Sequence, residues 1–379
     1  MASGNGNGKK NLVVIQLTGG NDTLNTVIPY NDGLYYDNRR TVAYKPESVL
    51  PISDELAFNP KMGSMKRLWD DGKMALINGI GYPSPNRSHF RSMDIWHTAE
   101  PNDIGKEGWL GRTARILDPN AENVLTAVNF GRGLPRALGV KGVPVASVGN
   151  LETYGLFPDL QDDMMRKIAL DAFAKMYGGA RGQDAVMDFL GQTGNDALKG
   201  ADILRTAPGL YSSNVEYAAN PIADSLKSVA QVMFANLGTR IYYTNQGGYD
   251  THSGEMATHA QLWDHLSGAV GDFWDDLVEH DRQDDTLIFI FSEFGRRIKD
   301  NGSGTDHGSG GSAFLVGGQV IGGMYGEYPS LEPEKQLEGD LQFNNDFRRT
   351  YATILDRWLH VGSEDIINGS FEPHEIIAR

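Results

Sequence analysis

A short apolar run near the C-terminal end of the chain constrains the fold most. Thr286 to Phe291 contains only apolar, aromatic and β-branched residues, and it stops abruptly at Ser292-Glu293-Phe294-Gly295-Arg296. Such a run is typical of a strand that is buried on both faces, as in a parallel sheet covered by helices. In open α/β sheets, ligands and chemistry gather at the carboxyl ends of the strands. Polar residues that directly follow apolar runs are therefore the first candidates for function.

The rest of the chain alternates between strand and helix patterns. Further strands are predicted at Asn11 to Leu17, Met74 to Ile80, Asn123 to Phe130, Val143 to Val148 and Thr239 to Thr244, and helices at Lys61 to Asp71, Ser88 to Thr98, Ile222 to Leu237, Glu255 to His280 and Asn345 to His360. This alternation predicts an α/β fold with a mostly parallel sheet. We expect one domain over residues 11–379, a helical insertion or cap over residues 151–219, and a disordered N-terminus over residues 1–10.

Charge and composition exclude several kinds of partner. The net charge is −15 with no concentrated basic stretch, which argues against nucleic acid because that affinity rests on Lys and Arg neutralising phosphates. No apolar run approaches the roughly 20 residues of a membrane span. Residues 1–10 have no apolar core of a signal peptide. The absence of cysteine excludes disulfides, thiolate metal sites and a cysteine nucleophile.

Acidic and imidazole side chains follow several of the predicted strands. They are Asp22, Ser88-His89, Asp250-Thr251-His252, Glu293 and Asp306-His307. Carboxylates and imidazoles in this number suit a divalent cation, with zinc or manganese favoured and calcium also open. Without a cation, converging carboxylates would repel each other. The sequence therefore predicts a metal site that polarises an ester oxygen and binds the attacking nucleophile.

Each early candidate also has a structural interpretation. Asp22 in Gly-Gly-Asn-Asp is equally typical of a turn, because Asn and Asp tolerate turn geometry. Ser88 is also a favoured helix N-cap. Asp250 and His252 either bind one metal or cap the helix that follows.

For the candidates nearer the C-terminus, the functional and structural interpretations are easier to tell apart. Glu293 either binds a metal or pairs with Arg296 or Arg297. Asp306-His307 in a glycine-rich loop is not explained by packing, so function is favoured there. His259 and His265, on a predicted helix with charged neighbours, are expected at the solvated surface.

Taken in order, the strand-end segments resemble the signatures of DUF1501, a bacterial family grouped with the alkaline phosphatase and sulfatase superfamily. The resemblance spans Asn11 to His360 and is carried by Leu17 to Asp22, Asn86 to Phe90, Gly248 to His252, Ser292 to Arg296 and Thr305 to Gly308. It implies an alkaline phosphatase-like sandwich, metal at the carboxyl ends of the strands, a nucleophile at a helix N-terminus, and a periplasmic or secreted location.

By motif order the resemblance also implies roles for residues. Asp22 corresponds to the early metal-binding aspartate, Ser88 to the nucleophile, Asp250 and His252 to the ligands of one metal, Glu293 to the carboxylate of an Asp-His pair, and His307 to the late histidine. Asp306 is grouped with these metal ligands.

One position departs from the family pattern. Phe294 stands where the histidine of the Asp-His pair is expected. His89 either replaces that lost ligand or serves as a general base. Arg87, Arg91 and Arg296 are candidate partners of a phosphate or sulfate group, since guanidinium binds such anions bidentately.

Two functions remain open at this point. The first is hydrolysis of a small-molecule or glycan phosphate or sulfate ester. The second is a degenerate, non-catalytic member that binds a glycan or an envelope partner through aromatic residues in its loops. Metal content and ester turnover discriminate between them.

Overall fold

The computed structural model describes residues 9–151, 163–178, 196, 199–201 and 203–378. Its strands are β1 (Asn11–Thr18), β2 (Val27–Ile28), β3 (Leu50–Pro51), β4 (Ala57–Phe58), β5 (Met74–Gly81), β6 (Ala127–Phe130), β7 (Ala146–Val148), β8 (Ile241–Gly247), β9 (Thr286–Ser292), β10 (Gly311–Gly317), β11 (Gly323–Tyr325) and β12 (Asn345–Asp346). Its α-helices are α1 (Gly33–Asn38), α2 (Gly63–Asp70), α3 (His89–Thr98), α4 (Trp109–Leu117), α5 (Asp163–Gly178), α6 (Ala207–Leu210), α7 (Pro221–Phe234), α8 (Glu255–Glu279) and α9 (Phe347–Ala352).

A nine-stranded sheet forms the centre of the molecule. Its order is β11-β5-β10-β9-β1-β8-β6-β7, with β12 also paired to β5. All pairs are parallel except those that β10 makes with β5 and β9. β2, β4 and β3 form a separate small antiparallel sheet. The mostly parallel sheet predicted from the sequence is confirmed.

Both faces of the sheet are covered by helices. Along β1, Val13 and Ile15 join the cluster that packs α7 and α8 against one face. Leu12 and Val14 join the cluster that packs α3, α4 and α9 against the other. Each β-strand residue points to the face opposite its neighbours, so a continuous apolar run is needed where helices lie on both sides. The predicted α/β architecture with flanking helices is confirmed.

Two predicted elements are shorter than expected because side chains interrupt them. β6 begins only at Ala127, since the Asn123 side chain accepts from Leu125 N and donates to the carbonyl oxygen of Leu237, which makes a turn. The last helix begins after Asp346, whose carboxylate caps it by accepting from Arg348 N. It continues as a π-helical segment over Thr353–Leu359.

The predicted insertion and N-terminus lie partly outside the described residues. Within 151–219 the structure describes α5, α6 and short flanking pieces, and residues 1–8 are not described. No helix in the described ranges is both long and apolar enough to cross a bilayer.

The expected surface position of His259 is wrong. α8 turns this residue into the core, where it is 1% exposed and lies 3.0 Å from Asn21 Oδ1 and 3.2 Å from Trp263 Nε1. Burial lowers its pKa to about 4. Glu255, one turn earlier on the same face of α8, is buried as well, so the presence of charged neighbours was a poor guide to the environment of His259.

Candidate metal centre

The carboxyl ends of β1, β5, β8 and β9 meet at one edge of the sheet. β10 runs the other way and begins at that edge, so the loop before it also arrives there. The β1 and β8 loops approach very closely at Gly19, which has φ +122°, and an added Cβ would lie 2.4 Å from the backbone nitrogen of Asp250. Only glycine permits this contact, which explains the Gly-Gly turn after β1.

Three imidazoles and one carboxylate converge in this space. His307 Nε2 lies 3.1 Å from His89 Nε2, 3.0 Å from His252 Nε2 and 2.9 Å from Asp250 Oδ1. Asp250 Oδ1 is also 3.1 Å from His252 Nε2 and 3.5 Å from His89 Nε2. Of these, His89, Asp250 and His307 form the group of mutually close ligand atoms found among the described residues. We refer to the four side chains together as the His/Asp cluster.

The other nitrogen of each ring fixes its tautomer. His307 Nδ1 lies 2.8 Å from the carbonyl oxygen of Arg87, which can only accept, so this nitrogen carries a proton. His89 Nδ1 lies 2.9 Å from Glu293 Oε1, and His252 Nδ1 lies 2.9 Å from Asp306 Oδ1. In the neutral rings the three Nε2 atoms are therefore acceptors. The hydrogen bond with Glu293 raises the pKa of His89 despite partial burial.

This arrangement of acceptors fits a cation. His307 Nε2 and Asp250 Oδ1 lie 2.9 Å apart, and each is within 3.5 Å of the Nε2 atoms of His89 and His252. Without a positive charge these acceptors would repel. Within the group of His89, Asp250 and His307 the separations are 2.9–3.5 Å, close to the roughly 3.3 Å between neighbouring ligands of a zinc ion with bonds of about 2.0–2.1 Å. Imidazoles bound to metals commonly donate their second N–H to a carboxylate or carbonyl, as all three do here. His89, Asp250 and His307 could therefore hold a metal ion, and His252 lies next to this group through its contact with His307.

Glu293 and Asp306, predicted as metal ligands, lie behind the imidazoles. Glu293 is fully buried and accepts from Gly19 N and Ser292 Oγ as well as holding His89. The hydrogen bond with His252 lowers the pKa of Asp306. Phe294 packs beside His89 and His307, with ring centroids 4.9 and 5.1 Å away.

The structure does not bring Asp22 into the His/Asp cluster. Its two carboxylate oxygens accept from Arg39 at 2.6 and 2.8 Å, and both side chains are fully buried. Burial opposes ionisation of Asp22, but Arg39 keeps its pKa below the usual range. The guanidinium thus supplies the positive charge that the sequence-based prediction assigned to a metal.

Glu255, which sequence reasoning missed, completes this buried network. It accepts from Thr305 Oγ1 at 2.6 Å and from Asn25 Nδ2 at 3.1 Å, whereas Arg39 Nη1 is 3.7 Å away. Burial and the charge of Asp22 raise the pKa of Glu255 to about 9, so it carries a proton at neutral pH. The network joins the loop after β1 to the start of α8 and to the loop that carries His307. A signal was present in the sequence, since Glu255 follows directly on the Asp250–His252 segment.

Replacing Glu255 with glutamine is expected to stabilise the fold at neutral pH. Unfolded, Glu255 loses its proton near pH 4.5; folded, it keeps it to about pH 9. The stability contributed by the protonated Glu255 side chain is therefore fully present below about pH 4.5. It is lost progressively as the pH rises from 4.5 to about 9, because the unfolded chain releases this proton and the folded chain does not. Glutamine mimics the protonated form, so Glu255→Gln gains up to about 3 kcal/mol at pH 7 and nothing at pH 4. Urea unfolding across this range checks the slope, and equal pH dependence in both proteins would contradict it.

Ser88 stands directly beside the His/Asp cluster. The carbonyl of Arg87 and the ring of His89 both contact His307, so the residue between them is held at the cluster. Ser88 is the exposed N-cap residue of α3, and its side chain accepts no capping hydrogen bond. Phe90, in the first turn of α3, is 91% exposed.

Of the three arginines predicted as anion partners, two are engaged outside the His/Asp cluster and the third, Arg296, donates to the cluster while its Nε and Nη1 have no partner among the described residues. Arg87 donates to Asp340 at 2.8 and 2.9 Å. Arg91 donates to Asp94 and to the carbonyls of Glu100, Pro101 and Asp103. Arg296 is fully buried and donates to Asp250 Oδ1 at 2.9 Å, which, against the effect of burial, helps to lower the pKa of Asp250.

The chain belongs to a family of α/β proteins whose function is not assigned. The family profile described as "Protein of unknown function (DUF1501)" matches residues 81–367, about three quarters of the chain. The family predicted from the sequence segments is confirmed. No curated protein matches the chain.

Solved structures with a related arrangement include hydrolases. The PsFucS1 sulfatase from Pseudoalteromonas sp. matches with a TM-score of 0.41 and 11% identity, covering 97% of this chain and 71% of that one. The phosphonate monoester hydrolase of Agrobacterium radiobacter matches with a TM-score of 0.39 and 11% identity, covering 96% and 78%. A protein in the alkaline phosphatase superfamily from Vibrio parahaemolyticus matches with a TM-score of 0.37 and 9% identity, covering 86% and 64%. All three likenesses are low in identity and in TM-score.

Proposed function

We propose that this protein is a metal-dependent hydrolase of phosphate or sulfate esters. The observation that carries the proposal is the convergence of three Nε2 atoms and Asp250 Oδ1, with every Nδ1 held by an acceptor. Acceptor atoms held this close together repel one another, and a bound divalent cation replaces that repulsion with attraction. A transition metal, zinc first, is the expected ion.

Within this proposal each polar residue has a distinct role. His89, His252, His307 and Asp250 hold the ion. Glu293 and Asp306 orient two of the rings, and buried Arg296 positions Asp250 rather than touching the substrate. When bound, the cation polarises an ester oxygen and favours the deprotonated nucleophile. Asp22 acts through Arg39 on the stability of the loop after β1.

Ser88 is the proposed nucleophile. Its Oγ would form a bond to phosphorus or sulfur as the bond to the leaving alcohol breaks; the hydroxyl gives up its proton and the alcohol gains one. The backbone N–H groups in the first turn of α3 would donate to an anion at this position, and the helix dipole favours negative charge there. Because Arg87 and Arg91 donate to other groups and Arg296 is fully buried, these amides replace the arginines as the proposed anion donors.

The first test uses the intact wild-type protein. We expect about one transition-metal ion per chain, and hydrolysis of at least one member of a panel of aryl phosphate, phosphodiester and aryl sulfate. Aryl esters suit the panel because the exposed Phe90 ring offers apolar surface for the leaving group. Chelation should abolish turnover and zinc should restore it. Turnover that survives complete removal of metal would refute the metal-dependent mechanism.

Metal without turnover would favour the second function. In that case the cluster is structural and the protein is the non-catalytic binder of a glycan or envelope partner considered above. A periplasmic or secreted location fits both functions and stays a prediction.

Replacing Ser88 with alanine separates chemistry from metal binding. We expect turnover to fall at least about 100-fold, since covalent catalysis is lost, while metal content stays at the wild-type level. Ser84→Ala is the matched control, because that serine is also exposed and lies in the same loop. Wild-type turnover in Ser88→Ala would assign the nucleophile to another group.

A further inference from the structure

A small cavity lies at the opposite edge of the sheet from the His/Asp cluster. Its volume is about 30 Å³, and it is lined by the residues that precede β1 and β8 and by the end of α8, among them Lys9, Asn11, Thr239, Arg240 and Arg282. β1 separates the two edges by about 23 Å, at roughly 3.3 Å per residue. The cavity is therefore independent of the proposed active site.

The cavity is unusual because it gathers positive charge in an acidic protein. Three cationic residues line it, whereas the chain as a whole carries a net charge of −15. In the described part of the chain, neither Arg240 nor Arg282 forms an ion pair with a carboxylate. Lys10, next to Lys9, is already paired with Asp285 at 3.6 Å.

The neutral partners of these arginines leave their charge uncompensated. Arg240 Nε donates to the carbonyl oxygen of Lys10 at 2.6 Å. With the Asn11 amide turned to satisfy its neighbours, its oxygen accepts from Arg282 Nη2 at 3.0 Å. Tyr242, which also lines the cavity, stays neutral because burial raises its pKa. Burial lowers the pKa of Arg240, and the opposing influence is Tyr242 rather than a carboxylate.

Two buried donors around the cavity also have no partner. They are Arg282 Nε and Thr239 Oγ1, and Thr239 is only 5% exposed. A buried donor without an acceptor is costly, and two neighbouring guanidinium groups without a counter-ion repel each other. An anion in the cavity would remove the charge imbalance and accept from these donors.

We propose that this cavity is a chloride site that ties β1 and β8 to the end of α8. Its volume of about 30 Å³ exceeds the roughly 10–15 Å³ that one water molecule needs by the same measure, so a single halide fits. The site depends on Arg240 and Arg282 from two different segments, so its occupation links those segments.

Thermal unfolding in chloride and in gluconate at equal ionic strength tests the proposal. The wild-type protein with its metal retained is expected to melt higher in chloride, and Arg240→Gln and Arg282→Gln should each weaken chloride binding about 10- to 100-fold. Arg115→Gln, which removes an exposed pair with Glu107, should keep the chloride response.

Bromide identifies the occupant directly. A crystal soaked in bromide should show an anomalous peak between Arg240 and Arg282 in the wild-type protein and none in Arg282→Gln. Ordered water alone at this position, equal melting in chloride and gluconate, or an unchanged chloride response in both arginine variants would each overturn the proposal. Metal content of the variants should equal that of the wild type.

Discussion

Replacing His307 with alanine is expected to abolish high-affinity metal binding and ester turnover together. His307 Nε2 lies within 3.1 Å of the ligand atoms of His89, His252 and Asp250, so it contacts every other member of the cluster. Its loss removes one donor and also releases the loop held by the Arg87 carbonyl. Metal affinity should fall by more than about 100-fold, because even the loss of a residue behind a ligand costs 10- to 100-fold.

Graded variants make this expectation sharper. Asp306→Asn keeps all four proposed ligands but weakens the orientation of His252, so a loss of about 10- to 100-fold is expected. His265→Ala, on a partly exposed turn of α8, serves as the control with no change. Metal titration and turnover of the three proteins provide the comparison. Wild-type metal affinity in His307→Ala would rule out the His/Asp cluster as the metal site.

Replacing Asp22 with asparagine is expected to destabilise the fold by about 3–5 kcal/mol. The change leaves the Arg39 guanidinium fully buried without its charged partner, and breaking a buried pair from one side costs this much. Because Glu255 is protonated and lies farther from Arg39, it compensates only in part. Urea unfolding of the metal-loaded protein measures the loss.

A double variant controls for the possibility that Asp22→Asn does not fold. Asp22→Asn combined with Arg39→Met removes both charges and should recover part of the stability, since an apolar replacement of a buried ion pair is often tolerated. Metal stoichiometry decides the other question. If Asp22 were a ligand, the folded double variant would lose the ion; we expect it to keep it. A double variant less stable than Asp22→Asn would contradict the ion-pair explanation.

The strands near the candidate site were predictable because their patterns are local. β1, β5 and β9 are predominantly apolar runs, and burial on both faces of a sheet favours such runs whatever their partners. The carboxyl ends of the parallel strands β1, β8 and β9 share one edge of the sheet, and the loop before the antiparallel β10 reaches the same edge. Asp250, His252 and His307, which the sequence predicts as metal ligands, therefore lie close together. His89 was also noted, as a replacement for the histidine missing at Phe294.

The separate roles of the polar residues could not be predicted in the same way. Glu293, Asp306 and Asp22 are all carboxylates after strands or in loops, and the sequence gives each the same chemical character. Only the tertiary contacts separate them: Glu293 and Asp306 lie behind imidazoles, and Asp22 lies against Arg39. Glu255 and His259 were misjudged or missed because burial depends on how α8 packs, which its charged neighbours do not indicate.

By itself, then, the sequence determined the parallel α/β architecture, the family, and the edge of the sheet where acidic and imidazole groups meet. The tertiary structure alone decided which of those groups face a common point and which are neutralised by a buried guanidinium. The physical reason is distance. Strand and helix patterns arise from neighbours a few residues apart. The contact between His89 and His307 joins side chains 218 residues apart at 3.1 Å, and the ion pair between Arg39 and Asp22 joins residues 17 apart at 2.8 Å.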